Sequence, residues 1–182
     1  MKDCFIKGKK IYLRLFKESD IRKWYKWFND EEATYWMDKR RFPNTPEKQK
    51  EFLKRINNSD TDIQLAIINR KNDVLIGTVG LHKIDLVNRN ADISIIIGER
   101  TYHGRKLGKE AVSLIISHAF NMLSLHKLTA GMIEGNIASF KLFSSLGFKK
   151  EAVFKEQAFL RGKYRNVIKM GLLKKSYKSA TR

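Results

Sequence analysis

Residues 99–111, "ERTYHGRKLGKEA", lie between two apolar runs, "ADISIIIG" (91–98) and "VSLIISHAFNML" (112–123). A buried strand therefore leads into a buried helix through a flexible, cationic bend, with Gly104 and Gly108 set among Arg105, Lys106 and Lys109. Such a turn is an anion cradle, because exposed backbone N–H groups and the positive end of the helix dipole face the same point. Two familiar cradles do not fit. The phosphate loop of nucleotide hydrolases requires G-x-x-x-x-G-K-[ST], whereas "GRKLGKE" is one residue short and carries Glu110 where a magnesium-binding hydroxyl belongs. The dinucleotide fingerprint G-x-G-x-x-G is unmet, and a preceding hairpin is wrong for a βαβ unit. A loop whose glycines only permit tight strand–helix packing remains the alternative on local grounds.

Upstream, "DIQLAIINR", the turn "KND" and "VLIGTVGLHKID" predict an antiparallel hairpin, with "NADISIIIGE" as a third strand. The alternation in "KKIYLRLF" (9–16) predicts a strand with Ile11, Leu13 and Leu15 on one face. Ser19 or Asp20 is the expected cap of a helix over "IRKWYKWFND"; Thr45 and Pro46 open a second in "NTPEKQKEFLKRI". Trp24, Trp27, Phe28 and Trp36 suggest an apolar face, mainly core. Downstream come a helix over 105–123, a strand over 127–133, a short helix from near Asn136 and a closing hairpin, "EAVFKEQAFL–RG–KYRNVIKMGLL". This order predicts an α+β fold: one twisted, mixed, mostly antiparallel sheet of about six to seven strands, with about four helices on both faces. No repeat or linker interrupts it, so residues 1–182 are read as a single domain.

At 182 residues and 42% hydrophobic content the chain can bury a sizeable core. Its 37 Lys+Arg against 19 Asp+Glu give a formal charge of +18. Such a field concentrates anions, whether nucleic acid, membrane surface or phosphorylated small molecules. Solvated surface lysines without a partner explain the count equally well, since the clusters "GKK", "MDKRR" and "LKKSYK" are short. The single cysteine, Cys4, excludes an internal disulfide and a multi-cysteine metal site, and no metal is expected. No apolar run approaches the roughly 18 residues of a membrane span, and the charges scattered through "MKDCFIKGKKIYLRLF" make a signal peptide unexpected there. A soluble cytoplasmic protein without a membrane partner is expected. A basic nucleic-acid-binding module would explain the charge, but no zinc pattern, RNA-recognition signature or basic heptad helix supports it.

The stretch from about 76 to 172 resembles the GCN5-related N-acetyltransferases (GNAT superfamily), and within them the branch of ribosomal-protein N-terminal acetyltransferases. Three parts carry the resemblance in order: "IGTVGLHKIDLVNRNADISIIIGERTYHGRKLGKEAVSLIISHAF", "NIASFKLFSSLGFKKEA" with its N-x-x-S start and Gly-Phe end, and "RGKYRNVIKMGLL". The resemblance implies a three-layer α/β/α fold splayed at two central parallel strands. It makes residues 1–60 the first strand and substrate-side helices, and 61–175 the cofactor-binding core with its C-terminal hairpin. It implies acetyl-coenzyme A as co-substrate, its pyrophosphate on the backbone of His103, Gly104, Arg105, Lys106, Leu107 and Gly108, with Lys109 nearby. The family loop reads Gln/Arg-x-x-Gly-x-Gly/Ala, so His103 takes the first position and Lys106 replaces the middle glycine. Lys106 either forbids a positive φ there or, the favoured reading, supplies a cation to the phosphates. The pantetheine arm is expected between the strands of Ser94–Ile97 and Ala130–Ile133, touching Asn136 and Ser139. A backbone N–H near Ile95 or Ile96 would meet the thioester oxygen, with Ile97 and Phe143 also against the cofactor.

Acetyl transfer to an amine needs a proton acceptor, donors for the oxyanion and a departing thiolate. Asp92, where many relatives carry Glu, is the first candidate base, acting through water; a strand-end Asp solvated or paired with Arg89 is the alternative. Glu134 is the second candidate, although a surface turn carboxylate explains it better. His82 can relay a proton near neutral pH, or simply pack within its strand. Relatives often place Tyr where Phe143 stands, so either the thiolate leaves unaided or Ser139 assists. Trp36, His82 and Asp92 are the candidate acceptor-side residues. The positive field disfavours polyamines and basic peptides. It favours a phosphate-bearing amine such as an amino-sugar nucleotide, with a protein N-terminus second, attacked directly in a ternary complex. A cofactor-binding sensor without catalysis is the remaining alternative, and the chain is expected to be a monomer or homodimer.

Overall fold

The computed structural model describes residues 3–37 and 42–177. Its elements are β1 (Ile6–Lys7), β2 (Ile11–Arg14), α1 (Ile21–Asn29), α2 (Pro46–Asn57), β3 (Ile63–Asn69), β4 (Val74–Asp85), β5 (Asn90–Ile97), α3 (Leu107–Asn121), β6 (Lys127–Ile133), α4 (Ile137–Ser144), β7 (Lys149–Leu160) and β8 (Lys163–Leu173). The strands form one sheet in the order β1-β2-β3-β4-β5-β6-β8-β7. Every neighbouring pair is antiparallel except β5–β6. The eighth strand, beyond the expected six to seven, is β1, a two-residue edge too short to show periodicity. Thr45 caps α2 through Lys48 N–H at 3.2 Å, with Pro46 as its first residue. Arg161 and Gly162, both at positive φ, turn β7 into β8.

The predicted alternation in β2 does not hold. All four of its residues are buried, while Leu15 is 59% exposed. Ile11 and Leu13 join a core roofed by Ala111, Ile115 and Phe120 of α3. Tyr12 faces a second core with Ile21, Trp24 and Trp27 of α1. A strand covered on both faces has no polar side to alternate with. The α1 cap is corrected as well: Asp20 stands at the N-cap position, but no side chain caps the helix. Its carboxylate instead pairs with the buried guanidinium of Arg14 at 2.6 Å and accepts the Lys17 N–H. Trp24, stacked on Phe16 at 3.8 Å, and Trp27 are core as expected, with Phe28 packed beside them. Residues 38–41 of the cationic "MDKRR" cluster lie outside the described residues.

Candidate active site

A wedge opens at the one parallel seam. β5 and β6 pair at Asn90–Lys127, Ala91–Leu128 and Asp92–Thr129, and there the register ends. Past that point β6 keeps pairing with β8 up to Ile133–Val167, so the strands part while each continues. Backbone groups alternate sides along an antiparallel strand. The Gly98 N–H donates to Ile76 of β4, so Ile96 also faces β4, whereas Ile95 and Ile97 direct their backbone into the wedge. Of the two amides considered for an oxyanion, Ile95 is therefore the one presented to the gap.

At the mouth of the wedge sits the cationic loop. Gly104 has φ +73° and Lys106 φ +63°, so the lysine adopts the left-handed conformation instead of forbidding it. Lys106 is the N-cap residue of α3, and no side chain caps the helix, which leaves its first N–H groups as donors. Leu107 is buried as a plug, while residues 103–106 and Lys109 are exposed. A Cβ on Gly108 would meet Ile95 at 3.5 Å and Ile97 at 3.6 Å, so this glycine faces the wedge strand. His103 Nε2 donates to the Ile97 carbonyl at 2.8 Å, tying the loop to the end of β5. Arg105 lies over the Tyr102 ring. Glu110, the residue that ruled out a phosphate loop, turns away to accept the Lys10 N–H at 2.9 Å and so fastens α3 to β2. Beside the loop, Arg105 and Leu107 share a cleft of about 510 Å³ with Lys9, Lys10, Arg70 and Lys71.

The other face of β5 is polar. Asp92 does not pair with Arg89, which donates to the Ser124 carbonyl at 2.7 Å. It binds Lys169 Nζ at 2.5 Å and accepts from the Thr129 hydroxyl. Burial pushes its carboxyl up, but the hydrogen bonds from Lys169 and Thr129 and the Lys169 charge hold it below the usual carboxylate range. An engaged, firmly anionic carboxylate is a weak proton acceptor. Directly across on β4, His82 contacts Asp62 through Nδ1 at 3.1 Å and Ser94 Oγ through Nε2 at 2.8 Å. Of these partners, Asp62, Thr129 and Lys169 escaped the sequence reading, and Ser94 was seen only as part of its strand.

The far end of the wedge collects the remaining candidates. Asn136 caps α4 by accepting the Ser139 N–H at 3.1 Å, which places Ser139 in the first turn. Phe143 is 4% exposed and packs edge-on against Phe148, so it belongs chiefly to the core. Glu134 is exposed and accepts from Asn166 at 2.9 Å. It lies five residues beyond Thr129, about 16 Å along the strand, so Glu134 and Asp92 do not form one site. Trp36 stands against Gly135, whose added Cβ would come within 3.0 Å of the indole. Trp36 also packs edge-on against Tyr35, which lies under Arg161 of the closing hairpin; Arg161 pairs with Glu31. Arg100 ties the segment before the cationic loop to Asp30 and Glu32. Among the described residues no group of three His, Cys, Asp or Glu side chains converges as a metal set, and no helix is long and apolar enough to cross a membrane.

The model of the acetyltransferase (GNAT) domain matches residues 10–149. The chain is 29% identical over 171 residues to an uncharacterized N-acetyltransferase, p20, of Bacillus licheniformis, covering 92% of this chain and 95% of that protein. It is 24% identical over 168 residues to the spermidine N(1)-acetyltransferase of Vibrio cholerae, covering 92% and 95%. The crystal structure of the Vibrio cholerae spermidine N-acetyltransferase in complex with CoA and spermine superposes with a TM-score of 0.86, at 21% identity over 93% of this chain and 99% of that one. At that identity the superposition establishes the fold alone.

Proposed function

Because the chain belongs to the acetyltransferases of the GNAT family, an enzyme class that moves an acetyl group onto nitrogen, we propose that it uses acetyl-coenzyme A and a primary amine bound together, the amine attacking the thioester directly. The observation that carries this reading is the wedge itself: strands that part after Asp92–Thr129, with the Ile95 amide facing the gap and an uncapped helix at its mouth. The loop backbone from His103 to Gly108 would hold the pyrophosphate, with Arg105, Lys106 and Lys109 as nearby cations. Ile95 and Ile97 would line the pantetheine arm, and Asn136 and Ser139 would flank it from α4. Ile95 N–H would face the developing oxyanion. Phe143 has no proton to give, so either the thiolate leaves unaided or Ser139, in the first turn of the same helix, assists.

For the acceptor we favour an amine that carries phosphate, such as an amino-sugar nucleotide, or one presented on a polyanion, such as a ribosomal protein N-terminus. A polycation needs free carboxylates in its pocket. Asp92 is neutralised by Lys169 and Asp62 is engaged by His82, while the whole chain carries +18. The names of relatives favour a second reading, a polyamine. Both are tested by offering amino-sugar nucleotides, peptides, polyamines and aminoglycosides with acetyl-coenzyme A, reading free thiol and product mass. A phosphate-bearing acceptor should lose kcat/KM steeply with added salt; a flat salt profile, or turnover of polyamines alone, would refute that choice.

A further inference from the structure

Three side chains from three separate segments meet on the acceptor face of the wedge: Asp62 from the turn before β3, His82 from β4 and Ser94 from β5. His82 Nδ1 lies 3.1 Å from Asp62 Oδ1, and Nε2 lies 2.8 Å from Ser94 Oγ. Burial pushes the Asp62 carboxyl up, but hydrogen bonds from His82, Ser59 and Thr61 outweigh it and keep the group anionic. A carboxylate only accepts, so Nδ1 carries a ring proton; in the neutral imidazole the bare Nε2 then accepts the Ser94 O–H. The lone pairs of that hydroxyl are left to take a proton from elsewhere. Ser94 stands two residues past the last β5–β6 pair and next to Ile95, whose amide faces the gap. The Asp62 and His82 side chains are 28% and 27% exposed, half-buried beside the wedge yet open to solvent. Other charged groups near the imidazole include Asp92, its cross-strand neighbour, Lys169, which neutralises Asp92, and the adjacent Lys83, whose charge also acts on Asp92.

We propose that Ser94 and His82 form a proton relay for the acceptor amine, with Asp62 as the positioning residue that sets the imidazole tautomer. The relay rests on the acetyltransferase reading above and deepens it. As the neutral amine attacks, the C–N bond forms and the carbonyl electron pair moves onto oxygen. The nitrogen then passes one proton to Ser94 Oγ while the serine's own proton moves to His82 Nε2. The oxyanion collapses, the C–S bond breaks, and the imidazolium returns the proton through Ser94 to the departing thiolate. Amine and thioester become amide and thiol, and the enzyme is restored. The sequence supplies no tyrosine at position 143, and this return path gives the thiolate its proton without one.

The test has two independent readouts on the full chain. A long-range ¹H–¹⁵N correlation spectrum, with His82 assigned by its loss in His82→Gln, should show the Nδ1–H tautomer in the wild type. Steady-state rates with an accepted amine should show kcat/KM reduced by roughly 10²- to 10⁴-fold in His82→Gln and Ser94→Ala, with acetyl-coenzyme A binding by calorimetry unchanged. Ser94→Thr, which keeps a hydroxyl, should recover most of the loss. The rise of kcat/KM with pH due to the imidazole should vanish in His82→Gln. An Nε2–H tautomer, a retained pH limb in His82→Gln, or equal activity of Ser94→Ala and Ser94→Thr would overturn the relay while wild-type turnover still upheld the acetyltransferase. A wild type that acetylates no amine would overturn both.

Discussion

Replacing Lys106 separates two effects that one residue combines. At φ +63° and ψ 9° its backbone is in the left-handed region, which costs an L-residue with a Cβ roughly 1–2 kcal/mol. Glycine escapes that cost, but its freer unfolded chain takes back about 0.4–1 kcal/mol. Lys106→Gly should therefore be about 1 kcal/mol more stable than Lys106→Ala, which keeps the Cβ and the strain. Both variants remove the same exposed charge beside the proposed phosphate site. An exposed ion pair contributes about 0.2–1 kcal/mol, so both should weaken acetyl-coenzyme A binding by up to about fivefold at low salt, and by less at high salt. Urea melts and calorimetric titrations of the three proteins read the two effects separately. Equal stability of the glycine and alanine variants would refute the strain; tighter binding by Lys106→Gly than by wild type would refute the ammonium's contribution.

Four further variants test the same geometry. Gly108→Ala, whose methyl meets Ile95 and Ile97 at ordinary contact distance, should fold and bind nearly as wild type. Gly108→Asp should keep its circular dichroism and lose acetyl-coenzyme A binding by calorimetry; wild-type affinity would remove the cradle. Asp20→Ala leaves the Arg14 guanidinium buried without its partner and should cost about 3–5 kcal/mol in a urea melt; a loss below 1 kcal/mol would contradict that burial. The folded Asp92 carboxyl is depressed below its ordinary 3.8, so its contribution to stability is present above that value and fades as pH falls through the folded one. Asp92→Asn should then lower stability near neutrality and flatten its decline in acid. An unchanged acid limb in pH-dependent melts would show that the Lys169 pair is not formed in solution.

The features legible in the chain are those decided within a few residues. Thr45 before Pro46, Asn136 three residues before Ser139, and Arg161-Gly162 between two alternating runs each act through their own neighbourhood, and each appears where the pattern puts it. The glycine-rich bend at 104–108 belongs to the same class. Even there two readings of Lys106 stand open in the chain, because nothing local reveals that the lysine adopts a glycine's conformation; the backbone removes the one in which it forbids a positive φ. The two-residue β1 gave too little pattern to see, and the doubly covered β2 showed an alternation that burial on both faces cancels.

Charge partners belong to the other class. Asp92 has a cationic neighbour in sequence, Arg89, yet its ion pair is with Lys169, brought alongside by the β6–β8 register. Arg14 and Asp20 become a buried pair only because β2 is covered by α1, and Asp62, His82 and Ser94 meet only because β3, β4 and β5 lie side by side. The linear chain thus determined the elements, their caps and turns, and the cationic bend between strand and helix, since backbone hydrogen bonding and side-chain periodicity are local. Strand register decided which carboxylate is spent, which amide faces the gap and which histidine meets a serine. Those outcomes depend on residues tens of positions apart, whose distance is set by packing and not by sequence spacing.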